Sequence, residues 1–376
     1  MLQLAEGVAP QFQHRLGVQH RLGLAAKLVE RDVRRDREHP GAQMAPVLEP
    51  VVRTQSAQER LLPCILGPLA EQPAQVTEHL VAVRDVEPLE RRNLLLHDSH
   101  HLGNVAGCRV VRCAVVGHVE WVEFVRVARM PAAGEIAHGV SPWQEAAGGG
   151  AVMARQIARL NGQCEFFTAL GDDEIGRRSE RRLAELGVDV HAVRFGESRR
   201  GWVHVDDAGE RTITTLGAKL LPRGPLPLRG YDAVFFVSGE VEALQSARAA
   251  RFLAATAREL TTLKAAGVKL DLLTASARDP GEQVGTAFAD TGLDVDTVVL
   301  TEGPAGGTAN GEPYHAAPLP GPVVDTYGAG DSFGAALCFA LGRGDDLHAA
   351  LDLATRAGAA VVTGAGPYAT QLVLPA

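Results

Sequence analysis

Residues 325 to 341 read Asp325-Thr-Tyr-Gly-Ala-Gly-Asp331-Ser-Phe-Gly-Ala-Ala-Leu-Cys-Phe-Ala-Leu341, a glycine-bearing turn running into an uninterrupted helix-compatible stretch. The glycines therefore lie at or just before a helix N-terminus, where exposed backbone N–H groups and the helix dipole form an anion site. Small residues let the backbone approach phosphate oxygens, and glycine reaches φ values closed to other residues. Asp331 lies beside the group so held. An anion hole and a carboxylate that orients and deprotonates a hydroxyl are what phosphoryl transfer needs. The same residues also read as a glycine turn with an aspartate helix cap, and Gly-x-Gly on its own favours that reading.

Upstream, short apolar runs alternate with helical spacing. Cys113-Ala-Val-Val-Gly117 reads as a first buried strand, and Cys164 to Leu170, Val188 to Val193, Asp232 to Val237, Val268 to Leu273 and Val295 to Thr301 continue the series. Gly148-Gly149-Gly150 precedes a helical pattern through Leu160, and Glu174 to Leu186 has helical spacing. This βαβ rhythm predicts an α/β fold with a doubly wound, mostly parallel sheet flanked by helices, binding ligands at the carboxyl ends of its strands. Trp121 to Val127 alternates apolar and polar positions, and Arg199 to Leu216 reads as a hairpin turning at Asp206 to Gly209. Together they predict a small β lid, about 120–145 and 199–217, that covers a substrate.

The texture changes near residue 110. Residues 1–110 contain one aromatic, Phe12, and one isoleucine, Ile65, so they have few large side chains to set against ordering entropy. They are expected to be a poorly packed extension or a gene-model artefact, with Val110 or Val111 as the native start and the α/β domain at 111–376. The N-terminal mass of the protein from its native host checks this. His97, Asp98, His100 and His101 hold metal-ligating groups, yet they lack a glutamate in the metalloprotease pattern, and the solvated reading is the stronger one.

Across 376 residues the chain is 46% hydrophobic and 22% charged, enough to bury a core. A net charge of -8 argues against a non-specific nucleic-acid grip. Five cysteines without paired spacing suggest neither disulfides nor zinc, and the first residues show no basic stretch followed by an apolar core, nor the sequence an eighteen-residue apolar run, so neither export nor membrane spanning is expected. A cytoplasmic protein without membrane or nucleic-acid partners is expected.

Asp325 to Asp331 matches, residue for residue, the Asp-Thr-x-Gly-Ala-Gly-Asp signature of the ribokinase (PfkB-type) carbohydrate kinases, and the chain resembles that family over roughly residues 112 to 373. The resemblance implies that Asp331 is the catalytic base and that Gly328, Ala329 and Gly330 form the anion hole. It implies ATP and magnesium as cofactors, with Asp325 and Thr326 ordering the phosphate region and a monovalent cation such as potassium. Thr301-Glu-Gly303, followed by Gly306-Gly307, looks like the nucleotide-site segment, which assigns Thr301, Gly303 and Gly306 to ATP. Gly171 to Gly176, Gly209 to Ile213 and Ala357 to Ala365 look like the family's Gly-Asp-Asp-x-x-Gly stretch, lid strand and adenine-side helix. Some members dimerise through their lids, and the resemblance leaves a homodimer of that kind open.

Two departures bear on the acceptor and the metal. The family's sugar-holding aspartate after the first strand appears here as Val122 between Glu120 and Glu123, and its asparagine behind the glycines falls near Val152 or Met153. Glu120 is the replacement carboxylate, with Gly148, Gly149 and Gly150 beside the acceptor, although a solvated strand position is an equal reading. The Asn-x-x-Glu motif becomes Ser276-Ala-Arg-Asp279. Asp279 or Glu282 then serves magnesium through its water shell, or Arg278 meets phosphate directly. The expected function is ATP-dependent phosphorylation of a hydroxyl on a sugar or sugar-like molecule. The alternatives are a nucleoside kinase, with Trp121, Trp143 or Phe124 stacking on the base, and a weakened nucleotide- or metabolite-binding protein.

Overall fold

The computed structural model describes residues 111–282 and 291–374. The expectations for residues 1–110, including the histidine cluster, lie outside the described residues.

Strands β1 (Cys113–Val116) and β8 (Ala233–Phe236) are buried at every position, as central parallel strands covered on both faces must be. They join β4 (Glu165–Leu170), β5 (Asp189–Arg194), β9 (Phe252–Thr256), β10 (Leu270–Ser276), β11 (Val295–Thr301), β12 (Gly307–Ala309) and β13 (Glu312–Tyr314) in one sheet. Its order is β13-β12-β11-β10-β9-β8-β1-β4-β5, parallel from β11 to β5 and antiparallel at the β12-β13 edge. Side chains alternate across it. Val115, Phe166, Phe235 and Leu272 pack with helices α1 (Gly149–Asn161), α5 (Ala329–Arg343) and α6 (Leu347–Val361) in one core layer. Val116, Phe236, Leu253 and Leu273 pack with α3 (Val241–Ala247) and α4 (Leu260–Ala266) in another.

The parallel strands expected at 113–117, 164–170, 188–193, 232–237, 268–273 and 295–301 are present, within a residue or three at their ends. The expected 174–186 helix is α2 (Glu174–Glu185). β9 was not anticipated, because Phe252-Leu-Ala-Ala-Thr256 sits in an alanine-rich run without strand-like alternation. The C-terminal helix begins ten residues before the Ala357–Ala365 segment and ends at Val361.

β2 (Glu120–Arg126), β3 (Val140–Ala147), β6 (Arg200–Val205) and β7 (Arg211–Leu216) form a separate four-stranded sheet in the order β3-β2-β6-β7. β2 and β6 pair in parallel and the outer pairs are antiparallel, so the expected hairpin is the β6-β7 pair. The order of winding reverses between the parallel neighbours β1 and β8: from β1 the chain builds outward through β4 and β5, then crosses back to build β8 to β11. That switch point opens a crevice at the carboxyl ends of β1 and β8.

Candidate active site

Gly328 caps α5 in the left-handed region, with φ 86°, a conformation that favours glycine. Asp331 follows in the first helical turn, where the helix dipole favours a carboxylate. From Ser332 to Ala340 the helix is buried, which anchors that turn to the sheet. The first-turn N–H groups of Gly330 and Asp331 have no acceptor within the helix, and no atom lies within 4 Å of a Cβ built on Gly330. The N-terminus of α1 meets the same spot: a Cβ built on Gly149 would lie 3.0 Å from Asp331 Oδ1. Only glycine fits there without displacing the carboxylate.

At the crevice mouth, Glu120 is buried at the start of β2. Its Oε1 lies 3.1 Å from Arg199 Nε and 3.7 Å from His118 Nε2. His118 Nδ1 lies 2.9 Å from Ser238 Oγ. Burial, joined by the charges of Lys219, Arg199 and Arg258, pushes His118 down to about 3, so the ring is neutral. Burial raises Glu120 above the usual carboxylate range against the pull of Arg199 and Lys219. Asp331 is half-buried, with its carboxyl hemmed in by protein. Burial raises it too; Arg211 and Arg258 oppose that rise and Glu120 adds to it. A carboxyl held above its ordinary range is better matched to proton abstraction near neutral pH.

The signature loop is held by its own side chains. Asp325 is fully buried, its Oδ1 accepting from Tyr327 N and its Oδ2 from Gly366 N, each at 2.9 Å. Tyr327 Oη in turn accepts from Gly148 N at 3.2 Å. Thr326 N and Oγ1 both donate to Gly209 O, and Arg211 donates to Thr326 Oγ1 at 3.3 Å. Asp325 and Thr326 thus bind the loop to the C-terminal segment and to the β6-β7 turn. The aromatics of the four-stranded sheet are spent on packing: Phe124 stacks on Trp143 with centroids 4.8 Å apart and meets Tyr327 edge-on at 5.1 Å, and Arg178 covers Trp121.

On the other side of the crevice, Thr301 ends β11 opposite Ser276 of β10, with its hydroxyl donating to Ala275 O at 3.4 Å. Gly303 lies under the Arg278 guanidinium, and Gly306 forms the turn into β12, packed on Tyr314 O. Asp279 and Glu282 both pair with Arg258, Glu282 at 3.2 Å. Asp279 Oδ1 also accepts from Gly281 N and Glu282 Oε2 from Ser276 N. Each of the four carboxylate oxygens thus carries one hydrogen bond or ion pair, which leaves lone pairs for the water shell of a magnesium ion, the indirect role expected of these residues.

The structure brings together Glu120, Gly148, Gly149, Gly150 and the 328–331 turn; Thr301, Gly303 and Gly306 lie on the flank formed by β10 to β12. Reasoning from sequence missed His118, Arg199, Lys219, Arg211 and Arg258. Most stand at element boundaries with no local pattern that marks them as site residues, and Arg211 lies within the Gly209–Ile213 stretch that was read as a strand rather than as a source of charge. The clefts of about 330 Å³ at Phe167, His191 and Arg223 and about 420 Å³ at Ser198, Leu216 and Leu220 are not lined by these groups.

An ATP-dependent ribose-1-phosphate kinase of Halopiger xanaduensis is 28% identical over 282 residues, spanning 66% of this chain and 91% of that protein. An aminoimidazole riboside kinase of Salmonella typhimurium is 29% identical over 265 residues, spanning 57% and 83%. Among solved structures, a ribokinase from Cryptococcus neoformans in complex with ADP superposes with a TM-score of 0.58 at 22% identity, over 70% of this chain and 97% of that one. A nucleoside kinase from Methanocaldococcus jannaschii gives 0.57 at 17%, over 70% and 95%. At these identities the structural likeness speaks for the fold. The model of the pfkB family carbohydrate kinases matches residues 111–283 and 269–372, and this chain belongs to that family.

Proposed function

We propose that this protein transfers the terminal phosphoryl group of ATP to a hydroxyl of a sugar or sugar-like small molecule, with Asp331 as general base. The observation that carries the reading is the Asp331 carboxylate at the meeting of two helix N-termini, Gly149 on one side and the 328–330 turn on the other. In this reading the acceptor hydroxyl lies between Asp331 and Glu120, with the Gly148–Gly150 backbone beside it. Asp331 takes its proton as the new O–P bond forms and the bond to the bridging oxygen of ADP breaks. The N–H groups of the Gly328-Ala329-Gly330 turn hold the spreading negative charge. Thr301, Gly303 and Gly306 flank the nucleotide. Magnesium would neutralise phosphate charge when bound, with Asp279 and Glu282, each also held by Arg258, meeting its water shell.

Asp331→Asn keeps the shape and removes the base. Turnover is expected to fall by about 100- to 10,000-fold while ATP affinity, measured by calorimetry, stays within a few-fold. Unchanged phosphorylation by this variant removes Asp331 from the role. A nucleoside acceptor is the less supported form of the reading, because Phe124 and Trp143 stack on each other rather than offering a free face.

A further inference from the structure

The acceptor end of the crevice holds more hydrogen-bonding capacity than it uses. Glu120, although buried, accepts no hydrogen bond among the described residues. Arg199 Nε is also buried without an acceptor: Glu120 Oε1 is near enough, at 3.1 Å, but off the line of a hydrogen bond. Of the five N–H groups of Arg199, one hydrogen bond is formed, from Nη2 to Thr215 Oγ1 at 2.8 Å. Lys219 Nζ makes one, to Glu259 Oε1 at 3.1 Å, and has two N–H groups to spare. The buried Nε of Arg199 left without an acceptor costs stability, a cost that an acceptor atom on a bound molecule would offset.

Arg199 and Lys219 come from the two ends of one hairpin. Arg199 immediately precedes β6 and Lys219 lies three residues after β7; Arg200 pairs with Leu216, and a Cβ on Gly217 would lie 3.7 Å from Arg199 Cα. Both cations act on Glu120 and on His118. His118 is neutral and adds no competing charge. Glu120 suits hydroxyl donors, whereas the two cations beside it suit an anion. A neutral sugar would satisfy the first group and leave the spare N–H groups of Arg199 and Lys219, each already beside one carboxylate, without an anionic acceptor.

We propose that the acceptor carries an anionic substituent, a phosphate or a carboxylate, held by Arg199 and Lys219 of the lid while its hydroxyls meet Glu120 and Asp331. This rests on the kinase reading above. It also makes the lid a chemical part of the acceptor site, because both gripping side chains flank lid strands.

The test uses the full chain with ribose 1-phosphate, ribose 5-phosphate, ribonate and ribose, measuring binding by calorimetry and ADP release separately. At least one phosphorylated or carboxylated acceptor is expected to exceed ribose about tenfold or more in kcat/KM, and the phosphate and ribonate arms identify which anion. Arg199→Gln and Lys219→Gln are each expected to raise KM for that acceptor by about 10- to 100-fold with kcat little changed, the loss of one charge-assisted hydrogen bond. Arg199→Lys should recover part of it, and added salt should raise the wild-type KM. Half-exposed Lys219 keeps the test open if Arg199 variants fold poorly. A preference for ribose or a neutral nucleoside over every anionic acceptor overturns the proposal, as does an unchanged anion KM in both variants. Anion binding without turnover, weakened in the variants, keeps the anion site and removes the kinase reading; turnover of neutral acceptors without anion binding does the reverse.

Discussion

At the scale of single residues, the chemistry depends on how closely Gly149 and Asp331 approach. A methyl group at 149 would press on Asp331 Oδ1 at 3.0 Å and on Val237 Cγ1 at 3.1 Å, both tighter than ordinary contact. Gly149→Ala is therefore expected to lower kcat by about 10- to 100-fold through displacement of the carboxylate, with the fold retained by circular dichroism. A wild-type kcat in this variant would show that Asp331 has room to spare. The protonation of Asp331 gives a second residue-level expectation. As a base it must be ionised, and burial raises its pKa, so activity should fall with decreasing pH at a higher pH than an ordinary carboxylate would give. Arg211 opposes that rise, so Arg211→Ala moves the acid limb of kcat further up. A limb that stays in place or moves down argues against this coupling. His118, held to about 3, should contribute no limb near neutrality.

At the scale of elements, the β6-β7 hairpin is fastened at both ends. Its tip meets the signature loop through Gly209 O and the Thr326 N–H and hydroxyl, and Arg126 of neighbouring β2 donates to Val324 O at 3.1 Å. Its base is set by Asp173, the N-cap of α2, which accepts from Gly176 N and Ser198 N at 2.7 Å each and from Ser198 Oγ at 2.7 Å. One carboxylate thus caps a helix and fixes the residue before Arg199. Asp173→Ala is expected to cost about 1–3 kcal/mol in chemical denaturation, from the lost cap and the freed Ser198 donors. Because Ser198 adjoins Arg199, the variant should also raise the acceptor KM. A stability loss with an unaltered KM would limit Asp173 to the cap. The Gly171-Asp-Asp-Glu-Ile-Gly176 stretch was visible in the sequence as a motif, but its tie to the base of the β6-β7 hairpin was not, since Ser198 is 25 residues away.

At the scale of the whole molecule, the sheet order decides where chemistry can occur. The parallel strands were legible because both faces of each are covered, so Cys113-Ala-Val-Val and Ala233-Val-Phe-Phe are apolar without a break. The 328–331 turn was legible because its seven-residue signature and the helix after it are contiguous, and left-handed backbone and helix start are both local preferences. Such features lie in consecutive residues, and the sequence by itself determined them, together with the family. What the tertiary structure alone decided is which distant residues face one another. It placed Asp325 as a buried clamp between the loop and Gly366, and it set Arg258 across Asp279 and Glu282, the carboxylates expected to serve magnesium through its water shell. It also gathered His118, Glu120, Arg199 and Lys219 at one mouth. The reason is physical: the pairing and desolvation of a charge depend on strand order and on what covers it, and neither is encoded in the residues beside it in the chain.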